Sequence, residues 1–97
     1  MIIVTGSVKA QPATLAQMRE LALEHVHRSR TEPGCLLHSV HHDVEDPLTL
    51  LFLEHWVDRA ALDAHFRVPA SSAFVTAVTA LATEPPTIQI YDAEPVH

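Results

Sequence analysis

Leu48–Val57, with the sequence LTLLFLEHWV, decides the fold of this 97-residue chain. Four apolar residues follow one another from Leu50 to Leu53, and a strand with such an unbroken run is covered on both faces. The run follows the polar turn Asp43–Pro47, which predicts a strand that pairs with the segment before the turn. Helices can cover one face of this sheet. A second copy of the same sheet is the simplest cover for the other face, so the chain is predicted to form a homodimer.

Hydrophobic periodicity and turn residues predict the order β-α-β-β-α-β, with the second helical region in two pieces. The predicted strands are Ile2–Lys9, Cys35–His42, Leu48–Val57 and Thr87–Tyr91. The first predicted helix begins at a capping box formed by Thr14 and Gln17 and ends near Thr31. The second helical region consists of Arg59–Phe66, after an N-cap at Asp58, and of a helix from Ser71 or Ser72 to Leu81. This order is that of an α+β, ferredoxin-like split arrangement, in which both helices lie on one face of a four-stranded antiparallel sheet. We expect a single domain over residues 1–97.

Composition excludes several classes of partner. The net charge is -6 and no lysine or arginine cluster is present, so neither a nucleic acid backbone nor an anionic membrane surface is predicted to bind. Cys35 is the only cysteine and is interpreted as buried packing in a reducing compartment. The start of the chain lacks a basic signal-peptide region, and no apolar run is long enough for a membrane helix. A cytoplasmic location is therefore expected.

Metal and nucleotide motifs are weak or missing. The chain contains no P-loop, GxGxxG or GxSxG sequence, which removes the common nucleotide-binding and hydrolase functions. His38, His41 and His42 are metal-ligand residue types, but His41 faces away from the other two in a strand. A metal site would need two of them together with Glu54 or His65, and no metal is predicted.

Three segments carry a family resemblance: Glu32–Cys35 (EPGC), Phe52–Trp56 (FLEHW) and Ala60–Phe66 (AALDAHF). They resemble the antibiotic biosynthesis monooxygenase domain over nearly the whole chain, and the most specific feature is the ExW strand end followed nine residues later by His65. The resemblance implies a dimeric α+β barrel with a pocket between each sheet and its helices. The family includes cofactor-independent oxygenases that convert phenols or quinols to quinones, haem-degrading enzymes, and a sugar-phosphate isomerase of quorum-signal turnover.

The hairpin register places His38 opposite Glu54. The same face is predicted to hold Leu36, Val40, His42, Phe52 and Trp56. The predicted catalytic residues are His65, Trp56, Glu54 and His38, and the predicted substrate-binding residues are Phe52, Leu62, Phe66 and Phe74. In this hypothesis His65 or His38 removes the proton of a bound phenol, Glu54 orients the imidazole, and Trp56 stacks on the ring. The phenolate then reacts with molecular oxygen and no cofactor is required.

Two differences from the sequence pattern of the family bear on which of its activities this chain could have. The chain contains no asparagine, which disfavours the haem-degrading members, and Phe52 stands where polyketide-quinol oxygenases carry an asparagine ahead of the tryptophan. Among the activities that the resemblance implies, we favour that of an oxidoreductase, a cofactor-independent monooxygenase that acts on a small aromatic substrate. Two alternatives stay open: an isomerase that transfers protons with histidine and glutamate in a basic pocket, and a dimeric ligand-binding protein without catalysis.

Overall fold

The computed structural model describes residues 1–96 of the chain. Its elements are β1 Ile2–Lys9, α1 Leu15–Ser29, β2 Cys35–His42, β3 Thr49–Trp56, α2 Arg59–Arg67, α3 Pro69–Leu81 and β4 Thr87–Asp92. The four strands pair antiparallel in the order β2-β3-β1-β4. The predicted element order and the α+β class are confirmed. None of the helices in the described chain is long and apolar enough to cross a membrane.

Strand β3 has one face toward the helices and one face away from them. Leu50, Phe52 and Trp56 are buried, whereas Leu51 is 40% exposed. The buried side chains pack with apolar residues of the helices in two core clusters. The helices thus cover the inner face of the sheet, and an apolar outer face remains open within one chain.

Gly34 brings the start of β2 against α2. Its φ is 82°, in the left-handed region that glycine adopts without strain. A Cβ atom there would lie 2.6 Å from the Cβ of Ala61 and 2.8 Å from Cγ1 of Val57. Asp58 caps the start of α2 beside this contact. Its Oδ1 accepts a hydrogen bond from the Ala61 amide at 2.9 Å, as predicted for an N-cap.

Three local predictions are wrong. The Thr14 side chain makes no capping bond on α1; its hydroxyl instead donates to the carbonyl oxygen of Leu81 at 3.0 Å and ties α1 to the end of α3. Helix α3 begins at Pro69, not at Ser71, because proline lacks only an amide hydrogen that the first helical turn leaves unpaired anyway. Leu36 lies at a register irregularity of β2 and is 58% exposed, so it leaves the predicted pocket face.

Candidate active site

A cavity of about 470 Å³ lies between the inner face of the sheet and the helices. Phe52, Phe66 and Phe74, three of the four residues predicted to bind substrate, line it. Leu62 does not, because it is fully buried in the core against Trp56 and other apolar side chains. The aromatic walls leave room for a small ring-shaped ligand.

Glu54 and Trp56 form a hydrogen-bonded pair at the end of β3. The two residues are separated by two positions and therefore share the inner face of the strand. The indole Nε1 of Trp56 donates to Glu54 Oε1 at 2.9 Å. Glu54 lines the cavity, whereas Trp56 is fully buried outside it. Trp56 therefore holds the carboxylate in place and is not positioned to stack on a ligand.

Several groups determine the charge of Glu54. Burial works against ionisation, but the contact with His38, the Trp56 hydrogen bond and the electrostatic interaction with His65 outweigh it, so the pKa of Glu54 lies below its usual value. The carboxylate is therefore charged at neutral pH. It supplies a negative charge on the wall of a mainly apolar cavity.

His65 is oriented by Glu32. Its Nδ1 lies 2.8 Å from Glu32 Oε1, and its Nε2 lies 3.9 Å from Glu54 Oε1. Because an ionised carboxylate only accepts, Nδ1 carries the hydrogen and Nε2 of the neutral ring is left as an acceptor. His65 is 3% exposed and lines the cavity. Glu32, rather than the predicted Glu54, is thus the residue that orients this imidazole.

His38 lies opposite Glu54 in the β2–β3 pairing, as the register predicts. Its Nε2 is 3.4 Å from Glu54 Oε1, yet neither ring nitrogen has an aligned hydrogen-bond partner within residues 1–96. The side chain is 1% exposed and is not part of the cavity wall. His38 therefore supports Glu54 from behind and cannot contact a ligand in this arrangement.

His25 is a cavity residue that sequence reasoning missed. Its ring lies parallel to Phe74 at a centroid distance of 4.0 Å, and its Nδ1 is 2.7 Å from a terminal guanidinium nitrogen of Arg28. Burial, together with electrostatic interactions with His38, His65 and the charged Arg28, lowers the pKa of His25 to about 3. The ring is therefore neutral at neutral pH and faces the cavity.

A sequence signal for His25 exists in α1. Met18, Ala22, His25 and Ser29 are buried, and their spacing of four, three and four residues is that of one helical face. The periodicity of apolar residues alone ends this helical face at Val26 and leaves out the neighbouring His25. Including polar residues in the periodicity would have placed His25 on the buried face.

His41 and His42, which the sequence offered as metal-ligand residue types, are exposed, whereas His38 is buried. A different set could hold a metal: one ring nitrogen from each of His25, His38 and His65 lies within 4.8 Å of the others. Nitrogens that share one tetrahedral zinc ion are about 3.4 Å apart. Ion binding would therefore require these side chains to draw together by up to about 1.4 Å.

Comparisons with known proteins show the family and agree with the fold. A family model described as antibiotic biosynthesis monooxygenase matches residues 1–77. The structure is similar to a crystal structure from Deinococcus radiodurans assigned to these monooxygenases, with 29% identity, a TM-score of 0.95 and coverage of 100% of this chain and 96% of that one. A second crystal structure, described as an antibiotic biosynthesis monooxygenase, is 32% identical with a TM-score of 0.90 and coverage of 98% and 100%.

A curated relative is similar over most of this chain. It is an uncharacterized protein of Synechocystis sp., 37% identical over 90 residues, which are 93% of this chain and 61% of the relative. The chain therefore spans less than two thirds of the length of that relative.

Proposed function

This chain belongs to the antibiotic biosynthesis monooxygenase family, and on that premise we propose that it oxidises a small aromatic phenol or quinol with molecular oxygen. The observation that carries the proposal is His65, which lines a cavity together with three phenylalanines and whose Nδ1 lies 2.8 Å from Glu32 Oε1. A carboxylate that fixes the tautomer of an imidazole produces a general base. The phenylalanines provide a surface on which an aromatic ring can pack.

The reaction begins with transfer of the substrate hydroxyl proton to His65 Nε2. Glu32 accepts the hydrogen bond from Nδ1 and stabilises the imidazolium. The electron-rich phenolate then reacts with molecular oxygen at a ring carbon that carries hydrogen. One oxygen atom becomes the second carbonyl of the quinone, and the other leaves as water with the two hydrogens that the phenol loses. The substrate supplies all four electrons, so the balance is closed without another reductant.

The other predicted residues support this step. Glu54 presents its charge to the cavity, with Oε1 3.9 Å from His65 Nε2. Trp56 and His38 are positioning residues, since both are buried outside the cavity and act through Glu54.

The proposed assembly is a homodimer formed through the outer face of the sheet. Proteins of this family are commonly dimeric. Leu37 and Leu51 are exposed on the outer face, and Leu53 beside them is half-buried. Burial of these leucines by a second copy would stabilise the pair through the hydrophobic effect.

The isomerase alternative has less support, because it predicts a basic pocket. Neither lysine nor arginine lines the cavity in the described part of the chain. The three phenylalanines suit an aromatic ligand better than a phosphorylated sugar.

Oxygen consumption with a panel of phenols and dihydroxynaphthalenes tests the proposal. We expect wild-type protein to consume oxygen and His65→Gln to lose this activity, while His27→Gln, at an exposed position, keeps it. The absence of uptake by wild type with every substrate would refute the oxygenase. Tight binding of a phenol without uptake would indicate the ligand-binding alternative.

A further inference from the structure

Two histidines from different helices meet at one point of the cavity wall. His25 comes from α1 and His65 from α2, and their ring centroids are 5.3 Å apart. We propose that they bind one hydroxyl oxygen of the ligand between them, with His25 as hydrogen-bond donor and His65 as acceptor. The inference rests on the proposed function only for the aromatic class of the ligand.

The tautomer of His25 follows from its partner. A guanidinium group has only donors, so His25 Nδ1 must accept the hydrogen bond from Arg28 at 2.7 Å. The neutral ring then carries its hydrogen on Nε2. The low pKa of His25 supports the neutral state. Stacking on Phe74 at an interplanar angle of 4° restricts rotation of the ring.

The tautomer of His65 is the opposite one. Glu32 requires the hydrogen on Nδ1, which leaves Nε2 with a free lone pair. One ring thus offers a donor and the other an acceptor. A hydroxyl group has the matching pair of functions, since it donates one hydrogen and accepts through its lone pairs.

The spacing of the ring nitrogens is compatible with one bridging oxygen atom. One nitrogen of each ring lies within 4.8 Å of the other. An oxygen that forms two hydrogen bonds of about 2.8 Å at a near-tetrahedral angle has its partners about 4.6 Å apart. Two nitrogens on one tetrahedral zinc ion would be about 3.4 Å apart, and the third histidine ligand would be His38, which does not line the cavity.

The arrangement has a consequence for the bound ligand. When the hydroxyl proton moves to His65, the resulting oxyanion is flanked by two N–H donors, one from each ring. Hydrogen bonds to a charged acceptor are stronger than those to a neutral one. His25 therefore stabilises the phenolate more than the phenol and selects rings that carry a hydroxyl group.

Binding of 4-nitrophenol and nitrobenzene to the full chain, measured by calorimetry, tests this inference. We expect wild type to prefer 4-nitrophenol. His25→Phe keeps an aromatic ring against Phe74 but removes the donor, so affinity for 4-nitrophenol should fall by about 2- to 10-fold, with nitrobenzene affinity unchanged. His27→Phe, two residues along the same helix and exposed, is the matched control.

The tautomers provide a readout that needs no ligand. Nitrogen-15 spectra of the imidazole rings at neutral pH should show His25 with its hydrogen on Nε2 and His65 with its hydrogen on Nδ1. The opposite tautomer at His25 would overturn the inference even if the protein folds and binds a ligand.

Other outcomes would also overturn it. These are no binding of either ligand, an equal affinity for both, or an unchanged preference in His25→Phe. Stoichiometric binding of Zn²⁺ that is lost in both His25→Phe and His38→Gln, without hydroxyl preference in wild type, would identify a metal site instead. Failure of oxygen uptake alone would refute the oxygenase and leave the binding results to decide this inference.

Discussion

Replacement of Gly34 by alanine tests how β2 is held against α2, and with it the contact between Glu32 and His65. The new methyl group would lie 2.6 Å from Ala61 Cβ and 2.8 Å from Val57 Cγ1, distances at which the backbone has to move. The φ of 82° adds strain for any residue with a Cβ atom.

Two effects should lower the free energy of unfolding of Gly34→Ala. The left-handed backbone costs a non-glycine residue about 1–2 kcal/mol, and overpacking costs about 1–3 kcal/mol. Their sum, about 2–5 kcal/mol, is a large share of the roughly 5–15 kcal/mol that stabilises a typical domain. Since each kcal/mol changes Tm by about 4–8 °C in a domain of this size, Gly34→Ala should lower Tm by at least about 8 °C.

Thermal and urea unfolding followed by circular dichroism measure this loss. Ala61→Gly removes the nearest methyl group, so the double variant Gly34→Ala/Ala61→Gly should recover the packing part but not the backbone part of the lost stability. Gly6→Ala is the comparison: Gly6 lacks the positive φ of Gly34 and its added Cβ would lie 3.2 Å from Thr87 O and 3.9 Å from Phe52 Cβ, so a smaller loss of Tm is expected. Wild-type stability of Gly34→Ala, or strictly additive effects in the double variant, would refute the reasoning.

Four further predictions concern the site and the outer face. Glu32→Gln should reduce oxygen consumption by about 10²- to 10⁴-fold, the usual contribution of a general base, because an amide can donate to His65 Nδ1 and reverse its tautomer; wild-type rates would contradict the role of Glu32. Burial and the charges of nearby glutamates raise the pKa of the Cys35 thiol, so its alkylation by iodoacetamide should reach half-maximal rate at a higher pH than that of a free thiol. The pKa of His25 is lowered from 6.5 to about 3, so on acidification the unfolded state binds a proton before the folded state does. The free energy of unfolding should therefore decrease as the pH is lowered from about 6.5 to 3. An equally steep decrease in His25→Phe, measured by urea titration, would show that His25 is not its cause. Leu51→Lys on the outer face should yield monomers in light scattering, and a monomeric wild type would refute the dimer.

The position of His38 opposite Glu54 could be obtained from the sequence because pairing in a hairpin follows from counting outward from the turn. Glu32 could not be assigned to His65 in the same way. The two residues are 33 positions apart in sequence, and their contact depends on the close approach that Gly34 permits between β2 and α2.

The sequence by itself determined the element order, the two apolar faces of the sheet and the family, because periodicity, turn residues and short motifs are local properties of the chain. Only the tertiary structure decided which side chains share the cavity. It placed Trp56 behind Glu54, removed Leu62 from the wall and brought His25 to His65. Helix packing determines these contacts, since small shifts of a helix against the sheet decide whether a side chain points into the core or into the cavity.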